Sequence, residues 1–238
     1  MLNNVLEKKS IKSLRKKNNP GRNLLSPHHH LKKIYDLKKR EILRRLEEFK
    51  ELWVKGRDEE IFEELAFCIF TPQSKARVCC NAINRLKETG LLLRGSDKEI
   101  IDRINDVRFK NKKAAYLVKA RYFFTKNRKI CIKSIISQFK DIYECREWLV
   151  NNITGLGYKE ASHFLRNIGF GEDVAILDRH ILKNLKNLKV IHEIPEALSR
   201  AQYLDIEKRM AAFSKQVRIP LSHLDLVLWY KETGEILK

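Results

Sequence analysis

The sequence lacks the apolar segments that would place it in a membrane or on an export route. No apolar run approaches the roughly eighteen residues that a membrane-spanning helix requires. The N-terminal segment becomes charged at Glu7 without a preceding apolar block, which argues against a cleaved secretory signal. We therefore expect a cytoplasmic protein.

Cysteine, glycine and proline are also scarce. The 238 residues include five cysteines, nine glycines and five prolines. The cysteines lie within apolar helical patterns and match no zinc or iron–sulfur spacing. Free thiols of this kind are typical of a reducing compartment, and we expect no metal and no other cofactor.

Positive charge is what the sequence has in excess. The formal net charge is +19. Residues 1–36 contain nine Lys/Arg and two Asp/Glu, a net charge of +7, so the other 202 residues still carry +12. Because phosphate neutralisation by Lys and Arg dominates nucleic-acid affinity, we expect a nucleic-acid partner. A basic surface that binds nothing is the alternative.

The spacing of apolar residues predicts an all-α fold behind a basic N-terminal arm at 1–30. From about Leu31 onward, apolar residues recur at intervals of three and four, and no stretch alternates cleanly as a strand would. Residues 31–238 are expected to form the functional domain. The longest helical patterns lie at 111–125, 140–152, 158–168, 179–188, 198–217 and 220–232.

Three polar residues are expected to begin helices in the first half of the chain. Asp58 can cap one helix, Ser74 can start the next, and Ser96 with Glu99 forms a capping-box pattern. The Thr71-Pro72 pair should end the helix that precedes Ser74.

Two closely spaced glycines, Gly155 and Gly157, separate a pair of expected helices at about 143–168. Glycines permit a tight turn, and the turn leaves backbone N–H groups free at the start of the second helix. Those groups and the helix dipole can bind one phosphate of a DNA strand. The pattern is typical of a helix-hairpin-helix that binds the backbone; an ordinary αα-turn is the alternative.

Two reactive side chains follow the glycines. Lys159 lies two positions after Gly157, and Asp178 lies nineteen residues later, directly before Arg179-His180-Ile181-Leu182. These residues, with the segments 155–167, 175–182 and 224–238, resemble the helix-hairpin-helix DNA glycosylase superfamily. The closer resemblance is to its archaeal and bacterial type-2 8-oxoguanine DNA glycosylase/lyase branch.

The resemblance covers about 38–238, and two departures from the superfamily pattern touch no reactive group. Thr154 stands where many members have proline, and Ile176-Leu177 stands where many have Gly-Pro. The family fold implied is two helical subdomains with the active site in the cleft between them.

The activity implied is that of a bifunctional DNA glycosylase/AP lyase that removes 8-oxoguanine from duplex DNA. Lys159 is implied to be the nucleophile, which forms a Schiff base and nicks the strand by β-elimination. Asp178 is implied to stabilise positive charge near C1′. A phosphate-contacting lysine and a plain helix cap are the alternatives for these two residues.

Four other residues are expected to contact the DNA or the flipped base. Gln73 is expected to fill the gap left by the flipped base, and His180 to contact a phosphate. Trp229 is expected to stack on the base, and Lys238 to help recognise it. Gln73 has the alternative of a polar residue at a helix start, and His180 that of packing or hydrogen bonding. Trp229 has the alternative of a core residue, and Lys238 that of a frayed C-terminus.

The implied partner is double-stranded DNA that contains an oxidised base, bound by a monomer without a membrane. Another oxidised base as substrate, or a non-catalytic DNA-binding module, remain alternatives. One basic group is expected to contact phosphate or to form a solvated face; its members are Arg108, Lys110, Lys112 and Lys113.

Overall fold

The computed structural model describes residues 27–237, whose regular secondary structure is almost entirely helical. In order, this part of the chain contains α1 (Pro27–Lys55), α2 (Asp58–Phe70), α3 (Ala76–Glu88), α4 (Leu91–Arg94), α5 (Asp97–Arg103), α6 (Lys110–Phe123), β1 (Thr125–Lys126), β2 (Lys129–Ile130), α7 (Ile132–Ile136), α8 (Ile142–Asn152), α9 (Tyr158–Asn167), α10 (Arg179–Asn187), α11 (Arg200–Val217) and α12 (Leu221–Thr233). Within 27–237, no helix has the length and apolar character needed to cross a membrane.

The predicted all-α fold is confirmed, with one short exception. The strands β1 and β2 form an antiparallel hairpin in which Thr125 pairs with Ile130. The two turn residues, Asn127 and Arg128, have φ angles of 50° and 62°. Two consecutive positive φ values are the mark of a type I′ hairpin turn. Residue 125, expected at the end of a helix, therefore lies in this hairpin.

The three expected helix starts have different outcomes. Ser96 and Glu99 form the predicted capping box. α2 begins at Asp58, as predicted, but Arg57 is its N-cap, and the Asp58 carboxylate accepts a hydrogen bond of 2.7 Å from the backbone N–H of Lys133. Ser74 precedes the N-cap of α3, and its hydroxyl accepts hydrogen bonds from other parts of the fold.

The first helix begins earlier than expected. α1 starts at Pro27, so residues 27–30 belong to a helix and not to the predicted arm at 1–30. The rest of that arm, residues 1–26, lies outside the described residues.

Two separate hydrophobic cores organise the fold. The first core is built by α2 to α9 and includes Phe62, Phe67 and Phe164. The second is built by α1 and α10 to α12, and it includes Leu185, Met210 and Leu224. α1 contacts both cores, since Ile42 lies in the second while Leu52 and Trp53 pack on the first. This arrangement gives the two helical subdomains that the family fold implies.

Candidate active site

Of the two glycines in the turn between α8 and α9, only Gly155 lies where a larger residue would not fit. Gly155 has a φ of 94°, and a Cβ atom at this position would lie 2.5 Å from the Tyr116 ring. Gly157 has an ordinary φ of −96°, and a Cβ there would meet only the Glu160 carboxylate, at 3.2 Å. A left-handed backbone and a closely packed ring therefore make Gly155 the residue on which the hairpin depends.

The start of α9 already holds a carboxylate. Gly157 N–H donates a hydrogen bond of 3.3 Å to Glu160 Oε2, and Glu160 Oε1 lies 3.5 Å from Lys159 Nζ. Helix N-termini attract anions because their N–H groups point outward and the helix dipole adds positive potential. Gly157 is exposed, so an anion that bound its N–H group would compete with Glu160.

Lys159 reaches from the first turn of α9 toward the loop between α2 and α3. Its side chain is 22% exposed, and Nζ donates a long hydrogen bond of 3.4 Å to Thr71 Oγ1. The Thr71 hydroxyl in turn donates to the carbonyl of Cys68 at 2.9 Å. The amine is therefore half-buried at the meeting point of the hairpin and the loop at 71–75.

Asp178 caps α10 and also interacts with Lys159. One carboxylate oxygen accepts a hydrogen bond of 2.8 Å from the backbone N–H of Ile181, so the predicted cap is confirmed. Burial raises the pKa of Asp178, while the Ile181 N–H and the positive charge of Lys159 act in the opposite direction. Capping and proximity to the amine are therefore two properties of one carboxylate.

A buried ion pair supports the segment that leads to Asp178. Arg146 of α8 donates two hydrogen bonds to Glu207 of α11, at 2.6 and 2.8 Å. Glu207 also accepts from the N–H of Ala175 at 2.8 Å, and the Tyr203 hydroxyl donates to the Ala175 carbonyl at 2.6 Å. Sequence reasoning missed this network because its charged members occupy ordinary helical positions.

A second carboxyl lies near the site and was also missed. Asp225 of α12 is buried, and its Oδ2 lies 3.5 Å from Arg166 Nη1. Burial raises the pKa of Asp225 to about 6; the charge of Arg166 opposes the increase, and that of Asp178 contributes to it. Asp225 is therefore part of the electrostatic environment of Asp178.

The four residues predicted to contact the DNA or the flipped base lie in different environments. Gln73 is exposed in the loop after α2 with a φ of 54°. His180 is exposed in the first turn of α10, and its ring lies edge-on to that of Trp229 with centroids 5.0 Å apart. Trp229 is half-buried, and its indole N–H has no hydrogen-bond partner among residues 27–237. Lys238 lies outside the described residues.

The predicted basic group is divided by the fold. Arg108 and Lys112 are exposed, which both phosphate contact and a solvated face require. Lys113 is 3% exposed, so neither phosphate contact nor a solvated face describes it. Its ammonium group donates three hydrogen bonds into the loop that carries Gln73.

Comparison with known proteins finds relatives that match most of the chain. Residues 42–219 match the family model described as 8-oxoguanine DNA glycosylase. A curated relative from Fusobacterium nucleatum, an 8-oxoguanine DNA glycosylase/AP lyase, is 48% identical over 208 residues, which cover 87% of this chain and 96% of the relative.

Two solved structures share the fold along nearly their whole length. The 8-oxoguanine DNA glycosylase of Thermotoga maritima has a TM-score of 0.79 and 32% identity, covering 89% of this chain and 98% of its own. The 8-oxoguanine glycosylase/lyase of Methanocaldococcus jannaschii, in complex with a 15mer DNA containing 8-oxoguanine, has a TM-score of 0.77 and 42% identity, covering 87% and 99%. Fold, site and sequence together make this chain a member of the 8-oxoguanine DNA glycosylase family.

Proposed function

We propose that this protein is a bifunctional DNA glycosylase/AP lyase that excises 8-oxoguanine from duplex DNA, with Lys159 as nucleophile and Asp178 as catalytic carboxylate. The observation that carries the proposal is that the positive charge of Lys159 acts on the Asp178 carboxylate and favours its ionised form. Lys159 comes from the hairpin and Asp178 from the start of α10, two elements that pack on different hydrophobic cores. The activity that the relatives carry in their names supports the same assignment.

The chemistry follows from these two groups once the damaged base has been flipped out of the duplex. The neutral amine of Lys159 attacks C1′, and the bond from C1′ to the base breaks with its electron pair leaving on the base, which is protonated. The ionised Asp178 stabilises the positive charge that develops on the sugar. Burial raises the pKa of Asp178, whereas the Ile181 N–H and the Lys159 charge favour the ionised form.

The lyase step uses the same covalent intermediate. After the amine loses its proton, opening of the C1′–O4′ bond gives a Schiff base between Lys159 and the sugar. Loss of a proton from C2′ then breaks the bond between C3′ and its phosphate oxygen, which nicks the strand. The reaction needs no cofactor, because the amine itself supplies the electrophilic imine.

The DNA is held by the hairpin and by residues around the cleft. The turn at Gly155 and Gly157 presents the start of α9 to one phosphate, where it replaces the contact with Glu160. Gln73 enters the space left by the extruded base, and His180 contacts a neighbouring phosphate. The net charge of +19 supports this mode of binding.

The extruded base is proposed to stack on Trp229, whose half-buried ring packs edge-on against His180. Lys238 is the second residue proposed for base recognition, on the strength of the sequence resemblance alone. The protein is proposed to act as a cytoplasmic, nucleoid-associated monomer.

Borohydride trapping tests the proposal directly. Wild-type protein should form a covalent adduct with a duplex that contains one 8-oxoguanine, because borohydride reduces the Schiff base to a stable amine. Lys159→Gln should bind the same duplex but form no adduct and leave the strand intact. Lys186→Gln, which changes an exposed lysine on α10, should trap like the wild type.

A panel of lesions extends the same assay to substrate choice. We expect the highest single-turnover rate on 8-oxoguanine and slower reactions on oxidised pyrimidines. A faster reaction on an oxidised pyrimidine would replace the proposed substrate. Full trapping by Lys159→Gln would instead refute the proposed nucleophile.

A further inference from the structure

Lys113 is the one buried residue among the four basic residues at 108–113. All three N–H donors of its ammonium group form hydrogen bonds. The residue lies on α6 and is 3% exposed. Its Nζ donates to the carbonyls of Phe70 and Pro72, at 2.6 and 2.7 Å, and to the hydroxyl of Ser74 at 3.0 Å. A lysine ammonium has three N–H donors, so this set is complete.

All three acceptors belong to the short segment from the last residue of α2 to the N-cap of α3, and two of them flank Gln73. Gln73 is exposed and has a left-handed φ of 54°. A residue other than glycine in this conformation is strained and persists only where the surroundings hold it. The bonds from Lys113 to Pro72 and Ser74 supply that support on either side of Gln73.

The same loop lies beside the nucleophile. Lys159 donates to the Thr71 hydroxyl. Burial and, to a smaller extent, the positive charge of Lys159 lower the pKa of Lys113 to about 8, and Cys79 partly opposes this decrease. The Thr71 hydroxyl has its own anchor on the Cys68 carbonyl at 2.9 Å. Loss of Lys113 should therefore release Gln73 while leaving the neighbour of Lys159 in place.

We propose that Lys113 is a positioning residue for base extrusion: it holds the loop at 70–74 in the conformation that presents Gln73 to the duplex. The proposal rests on the proposed function and deepens it, since it names the group that keeps the Gln73 side chain ready to enter the helix. Burial separates Lys113 from DNA, so it acts through the loop and not through a phosphate.

A double-mutant cycle with Gln73 tests this role. Lys113→Met keeps an unbranched buried chain but removes the donors, and Gln73→Gly removes the inserting side chain while its backbone still accepts a positive φ. Each single variant should slow single-turnover excision of 8-oxoguanine from duplex DNA roughly tenfold to a hundredfold. The double variant should be no slower than Gln73→Gly alone, within about twofold.

Two controls separate positioning from a general loss of structure or charge. Lys119→Met removes the same charge from an exposed residue of the same helix and should stay within about twofold of the wild type in excision. Lys113→Met should also cleave a pre-formed abasic site in single-stranded DNA at nearly the wild-type rate. No base pair has to be opened in that substrate, and Thr71 keeps its own anchor.

The outcomes are distinct. Additive losses in the double variant, or an equal loss on the single-stranded abasic site, would overturn the role of Lys113 while wild-type excision still upholds the proposed function. Absence of trapping by the wild-type protein would refute the proposed function itself. If Lys113→Met does not fold, Ser74→Ala removes one acceptor alone. It should slow duplex excision roughly fivefold, again without effect in the Gln73→Gly background, and an effect there would equally overturn the proposal.

Discussion

Asp225 lies close enough to Asp178 for the two carboxyls to oppose each other's ionisation. Burial raises the pKa of Asp225 to about 6; Arg166 opposes the increase, and Asp178 contributes to it. Because the pKa of Asp225 is about 6, Asp225 is protonated over most of the acid range, and the negative charge that acts between the two groups is that of Asp178. The ionisation of a residue on α12 is therefore partly set by the proposed catalytic carboxylate.

Asp178→Asn should lower the pKa of Asp225. The negative charge of Asp178 contributes to the raised pKa of Asp225, and asparagine removes that charge. Asp225 should therefore ionise at a pH lower by a few tenths to about one unit. An NMR titration that follows the Asp225 carboxyl carbon would show the shift.

The exposed Asp205 provides the baseline for loss of one negative charge. Asp205→Asn should leave the pKa of Asp225 at its wild-type value. Circular dichroism at each pH would establish that both variants are folded. An unchanged titration of Asp225 in Asp178→Asn would mean that the two carboxyls do not interact.

Asp178→Asn should separate capping from catalysis. The asparagine side chain still accepts the hydrogen bond from Ile181, so the free energy of unfolding should fall by about 1 kcal/mol or less. Base excision should fall at least roughly a hundredfold, because no negative charge remains near C1′. Asp141, which caps α8 by accepting from the N–H of Tyr143 at 3.0 Å, supplies the matched control.

Asp141→Asn should change stability by a similar small amount and leave excision intact. Melting curves and single-turnover rates on both variants make the comparison. If Asp178→Asn retained activity and lost most of its stability, the residue would be a structural cap only.

The sequence predicts the helices well where apolar spacing is regular. The patterns at 140–152, 158–168 and 179–188 end within two residues of α8, α9 and α10, because each helix buries one face against a core. The hairpin at 125–130 was missed because its turn residues, Asn127 and Arg128, take positive φ without a glycine to signal it.

The site is only partly visible in the sequence, for a physical reason. Lys159 and Asp178 belong to local patterns, a glycine turn and a helix cap, that can be read within a few residues. The pair Arg146 and Glu207 is separated by 61 positions. Nothing in the spacing distinguishes a buried charge such as Lys113 from the exposed Lys112 beside it. Burial of a charge becomes visible only after the helices have been packed.

Gly155→Ala should weaken both the fold and DNA binding. Alanine at a left-handed φ is strained by about 1–2 kcal/mol, and its Cβ would also press on the Tyr116 ring at 2.5 Å. We expect a total loss of about 2–4 kcal/mol in the free energy of unfolding. Because the hairpin would shift, affinity for undamaged duplex should fall as well.

Gly90→Ala measures the loss of stability that comes from backbone strain alone. Gly90 has a φ of 70°, but a Cβ there meets nothing within 4 Å. This variant should lose only the roughly 1–2 kcal/mol of conformational strain and bind duplex DNA normally. Denaturant unfolding and fluorescence anisotropy on both variants test the difference; equal losses in stability would mean that the Tyr116 contact is easily relieved.

The ion pair of Arg146 and Glu207 should be strongly coupled in stability. The two side chains are 2% and 8% exposed, so removing one partner leaves an uncompensated buried charge. Glu207→Met should lower the free energy of unfolding by about 3–5 kcal/mol. The double variant with Arg146→Met should be less destabilised than Glu207→Met alone, because no buried charge is left.

The double variant of Arg146→Met and Glu207→Met should not recover excision activity when it recovers stability. Glu207 also accepts the hydrogen bond from the Ala175 N–H, three residues before Asp178, and no methionine replaces that acceptor. We therefore expect the double variant to regain stability but to excise 8-oxoguanine roughly tenfold or more slowly, since the carboxylate of Asp178 is less well placed. Denaturant unfolding combined with single-turnover excision would measure both properties. Wild-type excision by the double variant would show that Glu207 contributes to folding alone.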